Sequence, residues 1–570
     1  MKRLPLLSLL CFIPILAGAQ DRTTPTSLLP DIDPQDIEIR GEFRARFPGL
    51  NRQPILGFNP TPRVFRLDPN RMPFIENPDQ VVATVQVTRL EAPGGPAPQY
   101  IRFPQQGYLH SRFGVGRYIS PEADVYAGVP LTENTWFRGS LNYHSSDGHR
   151  NRDVQPSSFR FMDATAGIQT RLSNRTKLGV DFSLLSDFNY GIQTPRPAFP
   201  DPFSDPTGNP RKTYNGYSAG TDFTHFFNAF RKFEGDISYN YYKVNYNFPN
   251  VNLVRSEEQR LKGSVYYQWP GTSIGSIFGI GAFTDAAKLV NTLRDDTNWH
   301  ISGVKGSWEQ PLSSGMKLNL IGRGYFTFDE KDGNKFYAYP DARVEFSSVP
   351  NLTLVGRIGG YILNNGLRGL HETNRFAMED NGLINQRTVF GLGEARYDFL
   401  GSAQIYAGLA YYIYENYQYY EDFQDIGSPL FGALYDDDTR RQKLYGGFRY
   451  INRPYGFTFF TEVYVQNTKL DSGIEAPYAE KLGITAGMTI RPVSKLNITI
   501  WSDYIGKRPY NLDGNKLAGY YLPGGRIEYR FTDDFGLYLK VNNILDQEYE
   551  IWNGYTERLF QVYGGVTIKL

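Results

Sequence analysis

This chain of 570 residues has a single cysteine, Cys11, so no disulfide framework can staple it. Its 60 basic and 59 acidic residues nearly cancel, which leaves no electrostatic footprint for nucleic acid. No apolar run after residue 16 approaches the roughly 20 residues that a membrane helix requires. The six histidines show no metal-ligand spacing beyond His144 and His149, read as two groups of one solvated loop, and the acidic run at Asp436, Asp437 and Asp438 reads as solvation in the same way. No Gly-x-Ser-x-Gly element or separate acid and base signature accompanies His144, Ser145 and Ser146. No catalytic, cofactor or metal site is therefore expected, and the chain is not read as an enzyme.

What is present begins with an export signature. Lys2 and Arg3 precede an apolar run over 4–16 and then Ala17, Gly18 and Ala19, which predicts a signal peptide over 1–19. Cys11 lies inside it behind bulky Leu10, where a lipid-anchored precursor carries a small residue, so neither thiol nor lipid anchor is expected in the mature chain. The other end alternates to its last residue. Phe560, Val562, Gly564, Val566, Ile568 and Leu570 are apolar or small, with Gln561, Tyr563, Thr567 and Lys569 between them. A period of two gives a strand with one greasy and one wet face, and in an exported chain these faces suit lipid and an aqueous lumen.

From residue 107 onward the pattern repeats as about 22 candidate strands of roughly 9 to 15 residues. Clear cores are 318–328, 352–358, 403–414, 457–466, 496–503 and 537–543. In the core 403–414, Ala403, Ile405, Ala407, Leu409, Tyr411 and Ile413 share one face and Gln404, Tyr406, Gly408, Tyr412 and Tyr414 the other. Connections alternate between tight turns (173–176, 310–315, 347–351, 452–455, 492–495, 532–534) and longer breaks (189–212, 364–383, 415–439, 506–517). Short periplasmic turns opposite long external loops define a transmembrane antiparallel β-barrel, and the 41 Tyr and 39 Phe suit its strands and interfacial girdles. The expected site is the outer membrane of a Gram-negative-type cell, with outer-membrane lipid as neighbour and both termini periplasmic.

Two stretches carry a family resemblance. Residues 123–150, ADVYAGVPLTENTWFRGSLNYHSSDGHR, and 522–570, with LYLKVNNILDQEYE followed by Gly554, Tyr555 and Arg558, resemble the early hairpin and the closing segment of TonB-dependent outer-membrane receptors. Ile544 stands where that closing segment has Leu. The resemblance implies 22 strands, a receptor or transport function for a nutrient-type ligand, and TonB, or another outer-membrane or periplasmic protein, as a partner. It also implies a plug domain, and here the sequence departs from the family: only 20–106 separate the leader from the barrel over 107–570, and they hold 14 of the 36 prolines. IEIRG at 37–41 resembles a plug motif, but no Asp-Gly-x-Pro element follows and no TonB box is recognisable.

The segment 20–106 contains no lysine but many arginines, among them Arg40, Arg44 and Arg46, which predicts a reduced plug whose guanidinium groups meet lumen carboxylates such as Glu462, Asp503 and Glu528. The alternative for the segment is a periplasmic arm, and for the whole protein a structural or assembly subunit of an outer-membrane complex, or a porin. The candidate ligand loop is 415–439, where Tyr417, Tyr419, Tyr420, Phe423 and Tyr435 stand among Glu421, Asp422 and Asp425. Aromatic faces beside carboxylates suit sugars, cationic ligands or a protein partner; the plainer reading is an aromatic girdle running into a loop.

Overall fold

A computed structural model describes residues 101, 103–104, 106–147, 158–190, 211–247, 254–292, 295–378, 382–399, 402–422, 431–452 and 456–570. The leader, nearly all of 20–106, Phe423 and His149 lie outside these, and so do the expectations that concern them.

Twenty-two antiparallel strands form one closed sheet. Every strand pairs with its sequence neighbours, and the ring closes where Tyr108–Gly116 pairs with Gln561–Lys569 in the register His110 to Lys569 through Gly116 to Tyr563. Closure removes sheet edges, which is what a strand-built membrane protein needs when no water can satisfy exposed backbone groups. Among the described residues no helix is long and apolar enough to cross a membrane.

The alternation read from the sequence sets which way each residue points. On strand Ala403–Glu415, Ile405, Leu409, Tyr411 and Ile413 are exposed on the outside, while Ala410 and Tyr414 are buried toward the lumen. The closing strand Gln561–Lys569 buries Gln561, Tyr563 and Thr567 inside. Near the short-turn end the outward residues form a chain of five touching rings, Phe227 of a turn against Tyr267, then Trp269, Phe278 and Trp308 on three successive strands, with successive centroids 5.5 to 6.2 Å apart. Tyr397 with Phe399, Tyr450 with Phe457, and Tyr529 with Phe531 continue it. Such a ring belongs at a membrane interface, where an amphipathic aromatic meets headgroups.

Inside, the wall is tied by side chains. Asp341 sits between Arg323 (3.1 Å) and Arg357 (2.8 Å), and Arg260 grips Asp285 with two bonds of 2.7 and 2.6 Å. Several tyrosine rings lie flat over glycines of the adjacent strand. A Cβ on Gly408 would stand 2.4 Å from the ring of Tyr445, whose hydroxyl donates to Glu394 at 2.6 Å, so glycine is required there by close approach.

One seam is incomplete. Strand Lys335–Phe346 pairs along its whole length with Met316–Phe328, but with Leu352–Leu363 only from Asp341 to Phe346. Pairing stops at Pro340, which has no N–H to give. Beyond that point Leu352–Leu363 pairs only with Gln386–Phe399, and Ile362 is buried in a cluster with Tyr325, Tyr337 and Tyr339.

The strand cores expected from the sequence all lie in observed strands, with one end displaced. The strand expected over 537–543 is Phe535–Asn542, because Asn543 takes a left-handed φ of 48°. His144 lies in strand Thr135–Ser146, with its Nε2 2.9 Å from an Arg558 nitrogen, and so is not a loop residue.

Candidate functional site

The long connections gather at the end of the barrel opposite the short turns, and the described ones fold together. The most informative is the strap of residues 364–385, which leaves the thirteenth strand, Leu352–Leu363, and returns to the fourteenth, Gln386–Phe399. It carries an eight-residue helix, Gly366–Thr373, and reaches the inner wall at Asp187 on the fifth strand, Thr176–Tyr190. Leu367 and Leu383 complete an apolar lumen cluster with Tyr214, Tyr242, Val244, Leu289, Trp299 and Ile301.

The wall supplies polar partners for the strap backbone. Glu258, fully buried, accepts the Leu367 N–H at 2.6 Å and so caps a helix start that has no side-chain cap of its own. Arg260 donates to the carbonyl oxygen of Asn364 at 3.0 Å, and Lys212 to that of Ala377 at 2.7 Å. Gly366 has φ +62°, and a Cβ there would lie 2.6 Å from Glu258 Oε1 and 2.7 Å from Arg260 Nη1. The wall comes that close to the strap backbone.

His371 at the end of the helix is buried, stacked on Tyr214 with centroids 4.3 Å apart and planes at 4°, and its Nε2 is 3.0 Å from Asp187 Oδ2. Burial holds its imidazole below the ordinary histidine range, and Lys212 and Arg375 act in the same direction, while Asp187 opposes them. At the return end Asn385 is the junction. Its N–H donates to Asp329 at 3.0 Å, its side chain donates to the carbonyl oxygen of Phe328 at 3.0 Å, and its own carbonyl accepts from Asn416 at 3.0 Å.

Above the strap the other loops form a small second core. Strand Tyr417–Asp422 pairs with Phe431–Asp436, and Ala377–Met378 adds in parallel to the latter. Leu370, Phe376, Ala377, Tyr420, Phe431, Ala433, Trp552 and Tyr555 pack together, with Tyr478 and Ile551 beside them. Phe376 stacks on Tyr555 at 3.7 Å. Arg508, buried, donates to the carbonyl oxygens of Glu550 (2.7 Å) and Ile551 (3.0 Å), fastening two further loops.

The residues singled out from the sequence fall in different parts of this assembly. Tyr420 is buried in the aromatic core with Trp552 5.3 Å away. Tyr417 lies over the wall, its hydroxyl accepting from Arg441 at 2.9 Å. Tyr435 donates to the Gly382 carbonyl oxygen at 3.1 Å and so ties the loop to the strap. Tyr419 is partly exposed on the hairpin. Glu462, Asp503 and Glu528 face the lumen as expected, each with a wall partner: Tyr406 donates to Glu462 at 2.7 Å, Thr485 to Asp503 at 2.8 Å, and Arg112 lies 3.9 Å from Glu528. Arg40, Arg44 and Arg46 lie outside the described residues. Sequence reasoning missed the strap, Glu258 and His371. Among the described residues no group of three or more acidic, histidine or cysteine side chains is placed to hold a metal ion.

A closed 22-stranded barrel with short turns at one end and interlocked loops at the other has the fold of the outer-membrane receptor barrels. Solved structures bear this out. The siderophore receptor PiuA from Acinetobacter baumannii superposes with a TM-score of 0.65 over 82% of each chain at 10% identity. The FrpB iron transporter from Neisseria meningitidis gives 0.64, again over 82% of each chain at 10% identity. The copper transporter OprC gives 0.62, over 83% of this chain and 81% of that one at 13% identity. No protein-family model and no curated protein matches the sequence. The resemblance to TonB-dependent receptors first seen in two short stretches thus extends to the whole barrel, and none of the described residues forms a plug domain.

Proposed function

We propose that this protein is an outer-membrane receptor and transport barrel that takes a nutrient-type ligand at its external loops and passes it through the lumen. The carrying observation is the strap: a loop that starts on the thirteenth strand and is hydrogen-bonded to the fifth stands across the path that a solute would take. An open porin would leave that path clear, whereas a receptor must rearrange this contact to release its ligand inward. The structurally similar siderophore receptor, iron transporter and copper transporter support the same class.

In this reading residues 1–19 are the leader, both termini of the mature chain lie in the periplasm, and 20–106 act from below as a reduced plug through Arg40, Arg44 and Arg46, with TonB or another periplasmic protein as the partner that moves it. Tyr417, Tyr419, Tyr420, Phe423 and Tyr435 shape the ligand loop, with Tyr419 the contact residue and Tyr420 its foundation.

Planar-bilayer conductance tests the proposal. Three forms are compared: the chain from residue 20, the chain from residue 107, and the chain from residue 20 with 366–378 replaced by a short Gly-Ser linker. Low conductance that rises when either element is removed supports a gated receptor. Equal, large conductance in all three would refute it.

A further inference from the structure

On the outer wall three aligned rows change character over four residues. Leu409, Leu444 and Val465 are paired across three neighbouring strands, and all are more than half exposed. Two residues nearer the loops, about 7 Å along the strand, the same face presents Tyr411, Gln442 and Asn467, and two further on Ile413, Arg440 and Lys469. The apolar band therefore ends between the first row and the second. Just above it, a cavity of about 300 Å³ is lined by Tyr411, Arg440, Gln442, Asn467, Lys469 and Asp471, with Asp438, Leu470 and Gly473 completing it.

Two features set this place apart on the rim. Two other outward lysines near the loop end meet carboxylates, Lys243 with Glu257 at 3.6 Å and Lys288 with Asp296 at 2.7 Å. Arg440 is held by Asp438 at 2.6 Å, whereas Lys469 makes no ion pair among the described residues. The second feature is the amide pair. Gln442 and Asn467 lie exposed on the outer face, directly above the greasy band, with no side-chain partner among the described residues, so both amides are open to a ligand at the headgroup level.

We infer that this cavity is a binding site for one phosphorylated glycolipid of the outer leaflet. Acyl chains lie against Leu409, Leu444 and Val465. A phosphate sits on Lys469 and the outer side of Arg440. Sugar hydroxyl and amide groups bond to Gln442, Asn467 and Asp471, a mixture of donors, acceptors and both charges that fits a phosphosugar better than a simple anion. The site rests on the membrane reading of the barrel above, but not on what the barrel transports.

The test places the full chain in phosphatidylcholine nanodiscs containing 5% of either diphosphorylated lipid A, its dephosphorylated form, or phosphatidylglycerol. Lipid that stays with the protein after transfer to detergent is counted by native mass spectrometry. One retained lipid A is expected, with retention weaker by roughly tenfold for K469Q and for the Q442L/N467L pair, and weak retention of the other two lipids. A K288Q variant on the same outer face should retain lipid A as the unaltered chain does. Equal retention by all variants, or retention of phosphatidylglycerol as strong as that of lipid A, would overturn the site. Heat-modifiable mobility on gels is read in parallel. Its loss would mean that the barrel itself has failed to insert, a failure separable from loss of the lipid.

Discussion

Replacing Gly366 by alanine should undock the strap and leave the barrel standing. An L-residue at φ +62° costs about 1–2 kcal/mol. The new Cβ would also lie 2.6 Å from Glu258 Oε1, so Glu258 must move and the 2.6 Å bond to the Leu367 N–H lengthens or breaks, a loss of about 1 kcal/mol. Together these weaken docking by about 2–3 kcal/mol, or roughly 30- to 150-fold in the docking equilibrium. Hydrogen exchange by mass spectrometry reads this directly: amides of 367–377 should lose protection by that factor, while those of strands Thr176–Tyr190 and Val254–Pro270 keep theirs. The G408A variant serves as a control that strains the wall without touching the strap. Unchanged protection over 367–377 in G366A would refute the account of how the strap is held, as would uniform loss of protection around the barrel.

Acidification should loosen the same contact. His371 is held below its ordinary range when docked, whereas in the undocked strap it takes up a proton near pH 6.5. The undocked state therefore binds more protons as pH falls below about 6.5, so docking is strongest above that pH and weakens beneath it; strap protection should fall between pH 7.5 and 5.5, and H371Q should remove the dependence. The G408A variant, whose Cβ collides with Tyr445, should lower the barrel's melting temperature on heat-modifiable gels through about 1–3 kcal/mol of overpacking, and an unchanged transition would count against the ring-over-glycine packing. Arginine in place of Leu409 or Leu444 should cost more in folding into bilayers than arginine at Gln442, which should cost no more than about 1 kcal/mol. Equal costs at the two levels would show that the membrane band has been drawn in the wrong place. Alanine at Tyr420 should unfold the loop core, seen as protease cleavage near Trp552, whereas alanine at Tyr419 should weaken ligand capture without such cleavage.

The wall could be read from the chain because each strand carries its own evidence: Ile405, Leu409 and Ile413 alternate with Gln404, Gly408 and Tyr412 whatever else the molecule does. The interior could not. The helix Gly366–Thr373 has no acidic residue in its first turn and no side-chain cap, because Glu258, 109 positions away, does that work. His371 looked like one more loop histidine, and only the approach of Tyr214 and Asp187 gives it a distinct environment. Tyr420 and Tyr419 are neighbours in an aromatic run, yet one is core and the other surface, a difference set by Trp552 and Phe431 from distant loops. Periodicity reports which solvent a residue meets; it does not report which distant segment replaces that solvent.

The half-paired strand Lys335–Phe346 bears on how the ring is assembled. The first and last barrel strands are sewn together by seven backbone pairs, whereas six join this strand to its next neighbour, and the rest of that junction is filled by Tyr337, Tyr339 and Ile362. A boundary held by side chains can part and re-form without unzipping a ladder. Two arcs, one of twelve strands and one of ten, could then form as separate curved sheets and meet along two lines. Under load, this interior line would yield no later than the seam that closes the ring.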